Sequence, residues 1–266
     1  MQSQKVPKAN KFLFLSPFEE SPEGDRGKGF RVLSFFLTPY ILFFIILLAA
    51  LVQYPKAELH LLMNANHTSF NDFFFRNYTE IGGGWLPFVF LGLLLLYRYS
   101  WTIYLLAAQF FGGIVSVIAK RTFDEPRPLL YFQENFPEIS LPLVEGVRVH
   151  YAHSFPSGYT ITGFALFFGL ALIFKKRWLS LLFFVMAALV GYSRIYLSQH
   201  FAIDVLVGSA IGVISAWVCY PLLEKMDNKW GKKSLANSFI KKNEHYLLKI
   251  KNKVLSLQSK NYWNIA

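Results

Sequence analysis

Apolar runs alternate with shorter polar connections along most of the chain. The first run is 30–53, and its centre from Tyr40 to Val52 carries no charge. A helix needs ~20 apolar residues to cross a bilayer core, so this stretch predicts a span. The runs 85–97, 101–119, 158–174, 178–197 and 200–223 predict five more. Between the first two, 55–82 scatters Leu61, Leu62, Met63, Phe70, Phe73, Phe74 and Phe75 among Asn, His, Asp and Arg. That pattern predicts an amphipathic helix lying in the membrane interface. Gly82, Gly83 and Gly84 break it, and Ala107, Ala108, Gly112 and Gly113 predict close helix packing in the third span. The connection 120–154 is the longest between spans. Its Pro126, Pro128, Pro137 and Pro142 argue against one continuous helix. The expected fold is all-α: a polytopic six-transmembrane bundle with an interfacial helix between its first two spans. The expected organisation is an N-terminal segment 1–29, a membrane domain 30–224 and a basic tail 225–266.

Composition strengthens this reading. A soluble chain of 266 residues would rarely be 54% hydrophobic and 18% aromatic. The single cysteine, Cys219, leaves no internal disulfide and no cysteine metal cage. A net charge of +11 is compatible with nucleic acid, but in a membrane chain basic flanks fix topology and touch anionic headgroups. The expected partners are therefore the bilayer and a lipid, with no nucleic acid. No short apolar segment with a small-residue cleavage site follows the start, so no removable signal is expected. Lysines and arginines concentrate in the head, the tail and the turns at Arg98 and Lys175–Arg177. The positive-inside rule then puts both termini in the cytoplasm. The expected location is a bacterial inner membrane, with 120–154 and 194–200 on the outer, periplasmic or lumenal face.

Three polar clusters fall on that face. Lys120 and Arg127 flank the start of the long connection. Alone, they read first as cations snorkelling at a membrane edge. Ser154-Phe155-Pro156-Ser157-Gly158-Tyr159-Thr160 opens the fourth span. It reads as an ordinary helix start, and the same geometry, with a Ser157 hydroxyl and room above Gly158, makes an anion cradle. Ser193 to Asp204 joins the last two spans. Here Arg194 offers a forked donor, and His200 lies four residues before Asp204. A carboxylate one helical turn away can take one ring nitrogen and leave the other free to attack. Together these are the parts of a phosphate site with an internal nucleophile. Polar groups at such a seam are expensive unless used. No carboxylate-rich cluster accompanies them, so neither metal nor cofactor is expected.

Lys120 and Arg127-Pro128, then Pro156-Ser157-Gly158, then Ser193-Arg194, His200 and Asp204 resemble the three-motif signature of the type 2 phosphatidic acid phosphatase (PAP2) superfamily. The resemblance runs from about Leu61 to Leu223 and agrees with the order of spans. It implies a metal-independent lipid phosphatase working through a phosphohistidine. His200 would be the nucleophile and Asp204 its orienting partner. Lys120, Arg127, Ser157, Gly158 and Arg194 would hold the phosphate. A helix N-terminus and Asp204 pull the imidazole in opposite directions, which predicts a pKa near working pH.

One position departs from the pattern: Tyr159 stands where the family has a histidine that protonates the leaving group. A phenol, with an ordinary pKa of about 10, is a weak acid. Tyr159 is then the acid, or His153 replaces it from the loop, or the site is impaired and the chain only binds lipid phosphates. A diphosphate lipid, whose leaving group needs little protonation, would suit such a site. The substrates consistent with the sequence are polyprenyl diphosphate, phosphatidate or phosphatidylglycerophosphate, and lipid A-type glycolipids. The segment 55–82 would admit the headgroup, and the loop 129–153 would select it. A transporter is the remaining class, but polar residues cluster at one face rather than through the spans.

Overall fold

The computed structural model describes residues 26–83 and 86–227, with 233–236, 238, 243 and 248–249. The predicted N-terminal segment and the Lys-rich tail lie almost wholly outside the described residues. Among the described residues the chain is all helical: α1 (Arg26–Gln53), α2 (Lys56–Met63), α3 (Ser69–Tyr78), a 3-10 turn (Thr79–Gly82), α4 (Leu86–Tyr97), α5 (Tyr99–Phe123), α6 (Pro128–Asn135), α7 (Gly158–Phe174), α8 (Arg177–Tyr196) and α9 (Ala202–Asp227).

α7 is the central helix, packed against α5, α8 and α9. From Gly163 to Leu172 it is buried on every side, as its unbroken apolar sequence requires. Phe36, Tyr104, Leu105, Phe164 and Phe168 form the heart of the core. Close approach of α7 and α9 depends on Gly212: a Cβ there would lie 2.6 Å from the Ile161 carbonyl oxygen and 2.8 Å from the Phe164 Cβ. The two glycines predicted to pack α5 differ. Gly112 meets Ile161 and Ser215, whereas Gly113 faces open space. The lipid-facing surface keeps large apolar side chains exposed, among them Ile45, Ile46, Phe88, Phe110, Ile118 and Trp217, which in a bilayer are solvated by acyl chains.

Among the described residues four helices are long and apolar enough to cross a membrane by themselves: α1, α5, α8 and α9. α7 is apolar but shorter, at 17 residues. The second predicted span needs correction. α4 has 12 residues, about 18 Å at 1.5 Å per residue, and is too short to cross alone. It passes only as a bent pair with Ser69–Gly82, at 53°.

The single interfacial helix expected over 55–82 is also different: it is two helices and a 3-10 turn. Asn64 ends α2, and Thr68 restarts the chain as N-cap of α3, accepting from the Asn71 N–H at 3.1 Å. α2 does not simply lie on lipid, because Leu59, His60 and the following Asn64 are buried against the α8–α9 seam. α3 keeps Phe70 and Phe73 exposed but is tied to α8: the Tyr196 hydroxyl donates to Asp72 at 2.5 Å, and His67 meets the same carboxylate at 2.8 Å.

Candidate active site

The three polar clusters converge at one end of the bundle. α5 and α9 run between the two ends. At one, Arg98 pairs with Asp227 at 3.3 Å. At the other, Lys120 leaves α5 and Asp204 opens α9. Arg194 comes there on the last turn of α8, and Ser157 as the N-cap of α7. The clusters are joined directly, because the Ser157 N–H donates to the Asp204 carbonyl at 3.1 Å.

His200 sits in the turn between α8 and α9, 2% exposed. Its Nδ1 lies 3.5 Å from Asp204 Oδ2. That oxygen also accepts from the Ser154 hydroxyl at 2.5 Å and the Phe201 N–H at 2.9 Å. The carboxylate is thus fixed from three directions, and Nε2 is the ring nitrogen left for chemistry. Burial, reinforced by Arg127 and Arg194, outweighs the pull of Asp204 and pushes the imidazole pKa down to about 3. The balanced value near working pH expected from the sequence is not found. The ring is neutral, which is its nucleophilic form.

The cations are placed through backbone carbonyls. Lys120 Nζ donates to His153 O at 2.6 Å. Arg127 donates through Nε to Ala152 O at 3.0 Å and through Nη1 to Gln199 O at 3.2 Å. Arg194 donates to Thr79 Oγ1 at 2.7 Å, and its buried Nε has no partner. Its guanidinium lies 4.0 Å over the Tyr159 ring. That ring is pressed against Gly83, where an added Cβ would fall 2.1 Å from its Cζ. Above Gly158, by contrast, a Cβ would meet only Ser116 Oγ at 3.8 Å, so space remains at the α7 N-terminus. Ser157 Oγ accepts from the Thr160 N–H and hydroxyl, at 3.4 and 2.8 Å. His153 points away from this cluster: it pairs with Asp124 at 2.8 Å, with both side chains exposed. Among the described residues no group of three His, Cys, Asp or Glu side chains stands close enough to hold a metal ion.

Several participants carried no assigned role in the sequence. Ser154 anchors Asp204, Gln199 contacts Arg127, and Thr79 fixes Arg194. A brace from α2 supports the turn that carries His200. The Asn64 side-chain amide donates to Ile195 O at 3.1 Å, Tyr196 O at 2.6 Å and Ser198 Oγ at 3.2 Å. His60 Nε2 meets the same Ser198 Oγ at 3.3 Å. Asn64 therefore caps the C-terminus of α8 and fixes Ser198, which has a left-handed φ of 51°. The available signal was a His and an Asn four residues apart around the apolar stretch Leu61–Met63, hence on one helical face.

The chain is similar to several known proteins. Lipid A 4'-phosphatase of Bacteroides thetaiotaomicron is 28% identical over 174 residues, 64% of this chain and 77% of that protein. The putative undecaprenyl-diphosphatase YbjG of Escherichia coli is 33% identical over 95 residues, and this chain spans 46% of its length. The crystal structure of Aquifex aeolicus LpxE superposes with a TM-score of 0.54 at 28% identity, covering 62% of this chain and 94% of that one. Residues 101–227, which hold all three motifs and both helices flanking His200, match the model of the PAP2 superfamily.

Proposed function

We propose that the protein is an integral membrane phosphatase that removes a phosphate from a lipid by way of a phosphohistidine on His200. The observation that carries this reading is the buried, neutral His200 backed by Asp204 and facing cations whose donors are incompletely used. Phosphoryl transfer asks little covalent chemistry of a protein beyond positioning and charge neutralisation. Lys120, Arg127 and Arg194 would surround the equatorial oxygens, and the α7 N-terminus at Ser157–Gly158 would add backbone donors. His200 Nε2 would attack phosphorus while Asp204 steadies the Nδ1 proton. Water would then hydrolyse the phosphohistidine. In this reading the chain crosses the membrane six times, α7 and the bent 69–97 segment included, with both termini cytoplasmic and the site on the outer face.

The substrate reading is a phosphate monoester on a lipid A-type glycolipid. It is supported by the similarity to lipid A 4'-phosphatase over 174 residues. A diphosphate lipid is the second reading, favoured by the stacking of Tyr159 beneath Arg194 in place of an imidazole acid. Phosphate release from purified protein, across lipid A, phosphatidate, phosphatidylglycerophosphate and a polyprenyl diphosphate, separates them. His200→Ala should abolish release and leave lipid binding. Release that survives this change would refute the phosphohistidine. Binding with no release by the unaltered protein would make the chain a lipid-phosphate binder.

A further inference from the structure

A departing lipid alkoxide needs a proton, and the two side chains named for that task from the sequence are held in other contacts. His153 is turned outward to Asp124. Tyr159 is held with its ring under Arg194 and against Gly83. A third group lies on the segment 148–153, which forms a strap over the cations. Four carbonyls of that strap are held by groups of the site itself. Arg148 O accepts from Gln199 Nε2 at 3.3 Å, Tyr151 O from the Arg127 N–H at 2.8 Å, Ala152 O from Arg127 Nε at 3.0 Å and His153 O from Lys120 Nζ at 2.6 Å. The strap then continues into Ser154, whose hydroxyl donates to Asp204. His150 sits in the middle of this strap, exposed at the rim, while His200 is buried at the floor.

We propose that His150 is the acid that protonates the leaving oxygen of the lipid, the catalytic partner of His200 across the phosphate. The proposal rests on the phosphatase reading above. An in-line displacement wants nucleophile and leaving oxygen on opposite sides of phosphorus; a lipid phosphate held by the cations with buried His200 behind it would turn its leaving oxygen towards the exposed strap that carries His150. Partial burial and the charges of Arg127, Arg148, Arg194 and Lys120 hold the imidazole of His150 below its ordinary pKa when no anion is present. These cations come from the N-cap of α6, the strap itself, α8 and α5. A bound phosphate brings negative charge into their midst and reverses the sign, so His150 takes up its proton with the substrate.

In the first step the bond from His200 Nε2 to phosphorus forms as the bond from phosphorus to the lipid oxygen breaks. The His150 proton passes to that oxygen, which leaves as an alcohol. In the second, neutral His150 accepts a proton from water as the water oxygen bonds to phosphorus. The phosphorus–Nε2 bond breaks and phosphate is released.

The test is kcat against pH for a lipid phosphate monoester, comparing the unaltered protein with His150→Gln, His150→Ala and His153→Asn. A positioned acid contributes typically 10²–10⁴-fold, so His150→Gln should lose at least ~10²-fold and should also lose the fall in kcat on the basic side. His150 is exposed, so melting should not change. Added imidazole should restore part of the His150→Ala rate, which a merely structural role would not allow. His153→Asn suits its left-handed backbone and should stay within a few-fold of the unaltered protein. The proposal is overturned if His150→Gln keeps its rate within threefold, keeps the basic limb, or fails to respond to imidazole as His150→Ala. It is a separate failure, of the phosphatase reading, if the unaltered protein releases no more phosphate than His200→Ala.

Discussion

Replacing Asn64 by leucine tests whether α2 is part of the catalytic apparatus. The two side chains are close in size, so packing is nearly kept while the donors vanish. The amide has two hydrogens and serves three acceptors, on Ile195, Tyr196 and Ser198, which is the work of about two hydrogen bonds. Each is worth about 1 kcal/mol net, and a buried carbonyl left without a donor costs about 1–3 kcal/mol more, so the local loss is about 3 kcal/mol. Asn64 Oδ1 is buried without a partner, and removing it returns about 1 kcal/mol. Global stability should therefore fall by only about 2 kcal/mol, or several degrees of melting temperature. The turn that carries His200 bears the whole of the larger loss. At about 1.4 kcal/mol per decade, a turn loosened by about 3 kcal/mol costs up to ~10²-fold in kcat. The assay is phosphate release at saturating lipid in detergent micelles, alongside a melting curve. Asn77→Ala is the control, since that exposed side chain bonds only within its own helix. If Asn64→Leu melts normally and turns over within threefold of the unaltered protein, α2 does not position the nucleophile.

Three other outcomes follow from the same geometry. Gly83→Ala forces Tyr159 aside, because the new methyl would coincide with its ring; overpacking of this kind costs about 1–3 kcal/mol and should show as a lower melting temperature. Arg194→Lys keeps the charge but loses the fork that holds Thr79 and stacks on Tyr159, so kcat/KM for lipid phosphate should fall by ~10²-fold, the usual scale for one transition-state donor. Burial, against the opposing pull of Asp204, lowers the His60 pKa to about 4. The unfolded chain then binds more protons between 6.5 and about 4, and the stability from keeping this ring neutral is complete above 6.5. It should drain away as pH falls through that window, at up to ~1.4 kcal/mol per unit. His60→Gln should flatten this part of a melting-temperature profile.

Much of this protein follows from the linear pattern. Runs of apolar residues demand helices, because backbone groups in hydrocarbon have no other partners, and Ser157 marks the start of α7 by its capping chemistry. The spacing of His200 and Asp204 puts them on one helical face before any tertiary contact forms. Other features depend on what lies across the bundle. The shortness of 86–97 is already legible between the Gly82–Gly84 break and Arg98, but the bend that joins it to 69–82 is not. Asn64 and His60 acquire their role only when α2 meets the α8–α9 seam, more than a hundred residues away. The identity of Tyr159 is written in the chain, but its place between Gly83 and Arg194 is not. The neutral state of His200 is likewise a tertiary result, since it needs burial to outweigh the adjacent Asp204. Local chemistry fixes which residues can act, and packing fixes which of them face the same phosphate.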